Sequence, residues 1–156
     1  VATDLTDLVP ALQRAVAVPG TFETVFPEST NDDLAMTLLD GFAEAQLDGF
    51  FVSYISNDDG IVAQDMSRAE QALVVIYAST RVLMSEIRNR KTHKRYEAGS
   101  VTFEEDQSAS SLVELLKQMK ERKKELRSQG IGGNSQRAFF MADQYLARGA
   151  GVPSWI

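Results

Sequence analysis

Ser67-Arg68-Ala69-Glu70-Gln71-Ala72-Leu73-Val74-Val75-Ile76-Tyr77-Ala78-Ser79-Thr80-Arg81-Val82-Leu83 is the stretch that decides the class of fold. Ala69, Ala72, Leu73, Ile76, Leu83 and, further on, Ile87 recur at the spacing of one helical face. Leu73 to Ala78 is apolar all round, the mark of a helix covered by neighbours on several sides. The pattern predicts a helix from Ser67 to about Asn89, closed by Arg88, Arg90 and Lys91, whose charges suit the negative end of the helix dipole.

Outward toward the N-terminus, Ser29-Thr30-Asn31-Asp32-Asp33 combines cap residues with first-turn acids and predicts a second helix reaching about Leu47. Leu34, Leu38, Phe42 and Ala45 face inward in this reading, with Met36 and Leu39 as further candidates. Gly41 and Gly49 permit a close backbone approach or a helix end. A first helix opens at Thr6 or Asp7, tolerates Pro10 in its first turn, and stops at Pro19-Gly20. Residues 21–29 are expected to be irregular and pinned by Phe22 and Phe26. Phe50 to Ser56 reads as strand-like or buried chain. Asn57-Asp58-Asp59-Gly60 then supplies a turn, from which Ile61-Val62-Ala63 can pair back.

Toward the C-terminus, residues 92–105 suggest a hairpin turning at Ala98-Gly99-Ser100, with Tyr96 and Phe103 on one face. A fourth helix is capped around Ser108 to Ser111, runs to about Ser128, and carries the stripe Leu112, Leu115, Leu116, Met119 and Leu126. Gly130-Ile131-Gly132-Gly133 is expected to act as a flexible joint. The expected fold is therefore mainly α: a small bundle of about four helices, a short β-hairpin or extended loop, and a C-terminal arm. Residues 1–129 form the core, with its hairpin near 92–105, and residues 130–156 the glycine-hinged arm.

The chain has 156 residues, a length suited to one domain, and 44% hydrophobic residues, an ordinary share for a folded protein. It contains no cysteine and a single histidine, His93, which excludes disulfides, thiolate chemistry and multi-histidine metal sites. No apolar run approaches the length of a membrane span, and no basic-then-apolar leader opens the sequence. The first residue, Val1, points to a processed or trimmed start.

The net charge of −6 divides unevenly: residues 1–65 carry twelve acids and one base, Arg14, whereas residues 66–156 carry fifteen bases and ten acids. The halves stand at −11 and +5. One reading gives two differently charged, solvated faces of one fold; the other sets an acidic side of one subunit against a basic side of the next, a head-to-tail contact that closes rings. For that contact the acidic second helix, with Asp40 and Glu44, would meet the basic third or fourth helix of a neighbour, and Lys117, Lys120 and Lys124 are the candidates on the fourth.

Catalytic signatures are weak. The glycines at 130–133 lack the Gly-Lys-Ser/Thr ending of a phosphate cradle and follow a helix. The acids at 57–60 are too closely spaced for a calcium loop. Asp32/Asp33 and Glu104/Glu105 fit helix capping and strand-edge solvation as well as they fit acid–base work, and His93 reads as an exposed loop residue. No catalytic residue, metal ligand or cofactor site is expected. The segment after residue 137 is more telling: it holds Phe139, Phe140, Tyr145 and Trp155, four of the thirteen aromatics, beside Ile156. Aromatics anchor protein interfaces, so these five residues are the candidates for docking on a partner; the other reading packs the segment back on its own core. The basic run Lys117 to Arg127 leaves open a small helical nucleic-acid-binding regulator.

Asp32-Asp33-Leu34, Asp40-Gly41-Phe42-Ala43-Glu44-Ala45-Gln46-Leu47-Asp48-Gly49-Phe50-Phe51, and Tyr96-Glu97-Ala98-Gly99 through Glu104 to Leu112 resemble head-to-tail adaptor proteins of long-tailed actinobacterial bacteriophages. The resemblance covers roughly residues 7–128. It implies a virion protein made in the host cytoplasm, with no catalysis and no cofactor. It implies a homo-oligomeric ring of twelve subunits in the neck, beneath the portal protein, that extends the DNA channel and presents a surface to the stopper or tail-completion protein. It also implies that the C-terminal segment grips the portal, which assigns Phe139, Phe140, Tyr145, Trp155 and Ile156 to that contact. Genomic DNA would pass through the lumen with weak, salt-sensitive contacts. Stoppers and tail-terminators, the other neck components, are β-rich, unlike the helical segments here.

Overall fold

The computed structural model describes residues 1–18, 20–96, 103–131 and 135–147. The elements are β1 (Thr3–Asp4), a 3₁₀ turn (Leu5–Leu8), α1 (Val9–Val16), α2 (Phe22–Val25), α3 (Asn31–Leu47), β2 (Ile61–Val62), α4 (Arg68–Tyr96), α5 (Phe103–Ile131) and α6 (Ser135–Ala147). The protein is mainly helical, a small bundle with a short antiparallel strand pair. α4 is its shaft: α1, α3, α5 and α6 all pack on it.

α4 begins where the sequence indicates. Ser67 and Glu70 form a reciprocal cap, with Glu70 N–H donating to Ser67 Oγ (3.2 Å) and Ser67 N–H to Glu70 Oε1 (3.1 Å). Leu73 to Ala78 are fully buried, as an all-round apolar run requires. Deeper along the helix, the buried Glu86 is held by Arg90 at 3.0 Å, and Arg90 also donates to the Val25 carbonyl (2.8 Å), tying α4 to the end of α2. α3 starts with a full capping box: Asp33 N–H donates to Thr30 Oγ1 and Thr30 N–H to Asp33 Oδ2. Leu34, Leu38, Phe42 and Ala45 are buried, whereas Met36 is 61% exposed and does not face inward.

Gly41 decides how closely α3 and α4 approach. A Cβ there would lie 2.9 Å from the Ala78 backbone nitrogen, so only glycine lets the two backbones meet. Gly130 plays the same part against a ring, since a Cβ would fall 2.5 Å from Phe50 Cζ. It is therefore a packing residue inside α5, and the expected joint does not begin at residue 130; residues 132–134 lie outside the described residues.

The N-terminal helix is shorter than expected. Asp4 caps the 3₁₀ turn by accepting from Thr6 N–H (2.9 Å), and α1 ends at Val16, before Pro19-Gly20. Residues 22–25 form one helical turn where an irregular segment was expected, and the Phe22 and Phe26 rings stack at 4.9 Å. Phe50 and Phe51 are buried but belong to no strand. The Asn57–Gly60 turn forms, with Asn57 Oδ1 accepting from the Asp59 and Ile61 amides at 3.0 Å each. The chain pairs back at Ser56 and Val62, and β1 adds to β2 in antiparallel register, Thr3 against Val62 and Asp4 against Ile61.

The hairpin expected over 92–105 is not present in the described part of that range. Residues 92–96 complete α4 and residues 103–105 open α5, while the expected turn at 98–100 lies outside the described residues. The physical reason is charge and propensity: Lys91, Lys94 and Arg95 are good helix formers at a C-terminus, and Glu104, Glu105 and Asp106 suit a helix start. Accordingly His93 stands in helical backbone, not in a loop, and Ser108 to Ser111 lie inside α5 instead of capping it. Residues 135–147 are not a detached arm either. α6 packs on both α4 and α5, with Ala138, Phe139 and Ala142 buried.

Candidate functional site

Acidic α3 and basic α5 meet first within one chain. Glu44 pairs with Lys123 of α5 and, at 3.0 Å, with Arg81 of α4. Asp48, just past the end of α3, accepts from the Tyr77 hydroxyl (2.6 Å) and lies 3.7 Å from Arg127. Lys123 also sits 4.9 Å above the Tyr77 ring. Burial and the Asp48 bond push the Tyr77 phenol well above the ordinary range of a tyrosine. Glu44 is thus engaged by two basic side chains of its own chain. Part of the division between acidic and basic halves is neutralised inside the fold, at a sequence separation of 79 residues.

What remains outside is two stripes. On α3, Asp33, Met36, Asp40, Ala43 and Leu47 follow each other at steps of three and four residues and are all exposed, Leu47 at 88%. On α5, Val113, Lys117, Lys120 and Lys124 do the same at steps of four, three and four, again exposed, with Val113 at 46%. Each stripe opposes the buried face of its helix. One is apolar with two carboxylates, the other basic with an apolar head. In the segment after α3, Val52 and Ile55 are also exposed, at 78% and 68%. That segment is anchored behind its apolar tip: Gln46 Nε2 donates to the Phe51 and Tyr54 carbonyls, and Tyr54 donates to Glu70 at 2.5 Å. The Glu70 bond holds the Tyr54 phenol up at about 12. Phe51 turns the chain in the left-handed region at φ 52°, with its ring clamped by Phe42 and Phe139.

The C-terminal aromatics divide. Phe139 is buried, stacked on Phe51 with centroids 5.2 Å apart and against Phe50 at 5.8 Å, so it is a core residue and not a partner contact. Tyr145 is half-buried, donates to Glu125 and underlies Arg122. Phe140, its side chain on the outer face of α6, is 61% exposed. Trp155 and Ile156 lie outside the described residues. Consecutive helical residues point about 100° apart, and nothing in Phe139-Phe140 alone says which turns inward.

Among the described residues no helix is long and apolar enough to cross a membrane, and no three acidic or histidine side chains gather as a metal site would need. Comparison with protein-family models, curated proteins and solved structures returns no match to this chain.

Proposed function

We propose that the chain is an adaptor subunit of a bacteriophage neck, assembling head to tail into a ring between portal and stopper or tail-completion protein. The observation that supports it best is the pair of outward stripes: Met36, Asp40 and Leu47 on α3, Lys117, Lys120 and Lys124 on α5. They lie on different helices, and Asp33 and Asp40 on the first oppose the three lysines of the second in charge. A contact between them is heterologous, and such contacts close into rings when the rotation permits. The phrases at 32–51 and 96–112 add the resemblance to phage adaptors, and the helical bundle agrees with the fold it implies. In this reading the DNA channel runs through the ring, and contacts to DNA are weak. Phe140, Tyr145, Trp155 and Ile156 are the portal contacts, and Asp40 stands at the subunit interface.

The triple reversal Lys117→Glu, Lys120→Glu, Lys124→Glu tests the ring. Native mass spectrometry and electron microscopy should show rings for the parent chain and monomers for the variant, with partial rescue by Asp40→Lys. A parent chain that stays monomeric with or without portal protein, or a ring indifferent to the reversal, overturns the assignment. Because α6 belongs to the core, the portal contact is tested by removing residues 148–156 and by Phe140→Ser. The lysine stripe also suits a duplex phosphate backbone; useful DNA affinity with a steep salt slope would favour the regulator reading instead.

A further inference from the structure

Away from both stripes, α1, the start of α4, α5 and the end of α6 enclose a cleft of about 700 Å³. Its floor is apolar, from Val75, Met119 and Leu146 among others. Its rim carries three guanidiniums, Arg14, Arg68 and Arg122, and two carboxylates, Asp7 and Asp143. One of those carboxylates is already spent, since Asp143 pairs with Arg68 at 3.3 Å. Arg14 is exposed and has no ion pair among the described residues. Arg122 is half-buried with its guanidinium carbon 5.2 Å from the Tyr145 ring centre; burial disfavours its charge, and the nearby Glu125 carboxylate offsets only part of that. A desolvated guanidinium beside an apolar floor gains most from a carboxylate brought to it, because both the charge and the planar donor fork are then satisfied.

We infer that this cleft receives an acidic, apolar-anchored segment of a partner protein, one carboxylate side chain reaching Arg14 and Arg122 and one large apolar side chain resting on the floor. Size and charge decide the occupant. The volume lies within the range of ligand sites and exceeds what one side chain fills. The rim is only singly positive on balance, and Asp7 and Asp143 would repel a polyphosphate, so a group of single charge fits. Carboxylates stand among the guanidiniums, and Gln71, whose Nε2 donates to the Met66 carbonyl (3.2 Å), offers its amide oxygen to the wall, which suits a peptide N–H better than the bare hydrocarbon of a fatty acid. The lining residues carry this inference, and it stands whether or not the chain forms a neck ring.

The test uses the full chain and a fluorescein-labelled, end-capped Glu-Leu-Phe-Gly peptide, read by anisotropy and by amide shifts. Saturable binding with shifts at Ala11, Gln71, Met119 and Leu146 is expected. Arg14→Glu, at an exposed position, should weaken it at least about tenfold, the loss of one charge-assisted hydrogen bond. Asp143→Asn, which releases Arg68, should tighten it several-fold. Equal binding of a Lys-Leu-Phe-Gly peptide, indifference to Arg14→Glu, shifts confined to other surfaces, or no binding at millimolar peptide overturns the inference. So does dodecanoate binding where the acidic peptide does not, which would make the cleft a small-molecule site.

Discussion

Replacing Gly41 with alanine sets two known effects against each other. Within α3, away from its neighbours, the change should stabilise by about 1 kcal/mol, the difference in helix propensity. The added Cβ, however, would meet the Ala78 backbone nitrogen at 2.9 Å, its Cα at 3.1 Å and its Cβ at 3.2 Å. Backbone cannot rotate out of the way, so α3 must withdraw by roughly half an ångström to reach ordinary contact, loosening Leu38, Phe42 and Ala45 together. Overpacking of this kind costs about 1–3 kcal/mol, and the upper part of that range applies where two main chains collide. The expected net effect is a loss of about 1–2 kcal/mol, a fall in Tm of about 3–8 °C for a chain of this size. Urea unfolding followed by circular dichroism measures it. Ala43→Gly, on the exposed side of the same helix, calibrates the propensity effect alone and should cost about 1 kcal/mol. If Gly41→Ala raises stability by as much as Ala43→Gly lowers it, α3 and α4 do not approach as described.

Phe139→Ala should destabilise by about 3–5 kcal/mol, whereas Phe140→Ser should change stability by less than about 0.5 kcal/mol; comparable losses would return both side chains to one environment. A double-mutant cycle on Glu44 and Lys123, whose side chains are 23% and 21% exposed, should give a coupling of about 1 kcal/mol that is independent of protein concentration and shrinks with salt. Coupling that emerges only at high concentration would place the pair between chains. The Tyr54 and Tyr77 phenols ionise later in the folded chain than in the unfolded one, so the stability they contribute is whole below about pH 10 and declines as pH rises. Tyr54's share is gone by about pH 12. Tyr77→Phe should flatten that alkaline decline, read by chemical unfolding at pH 8 to 11, and an unchanged slope would count against the burial of the phenol.

Local signals were legible and distant ones were not. Thr30 and Asp33 announce the start of α3 because a capping box is complete within four residues, and the all-apolar run at 73–78 announces a buried helix for the same kind of reason. The hairpin expected at 92–105 shows where short phrases mislead. Val101, Thr102 and Phe103 favour strands and Ala98-Gly99-Ser100 favours a turn, but the helix formers on either side belong to long helices that pack on the core. Gly130 reads as a joint because its neighbours at 132 and 133 are glycines, and only the ring of Phe50, eighty residues earlier in the sequence, gives it a packing role. The site fared likewise. Asp40 and the lysines at 117, 120 and 124 are on the surface, as their spacing indicates. Glu44 and Phe139 turn inward because their partners, Lys123 and Phe51, come from far along the chain. The cleft lined by Arg14, Arg68 and Arg122 had no sequence signal, since its walls come from both ends of the protein.

The position of α4 at the centre of the bundle also governs the order in which the protein can be made. α1 and α3 are translated before it and bury their apolar faces largely against it. Until residues 68–83 leave the ribosome, Leu12, Val16, Leu38 and Phe42 have nothing lasting to cover them. During synthesis the N-terminal third therefore exposes apolar side chains that the finished fold covers, a hazard of the kind chaperones relieve. Its abundance of aspartate and glutamate keeps that nascent segment in solution during the wait.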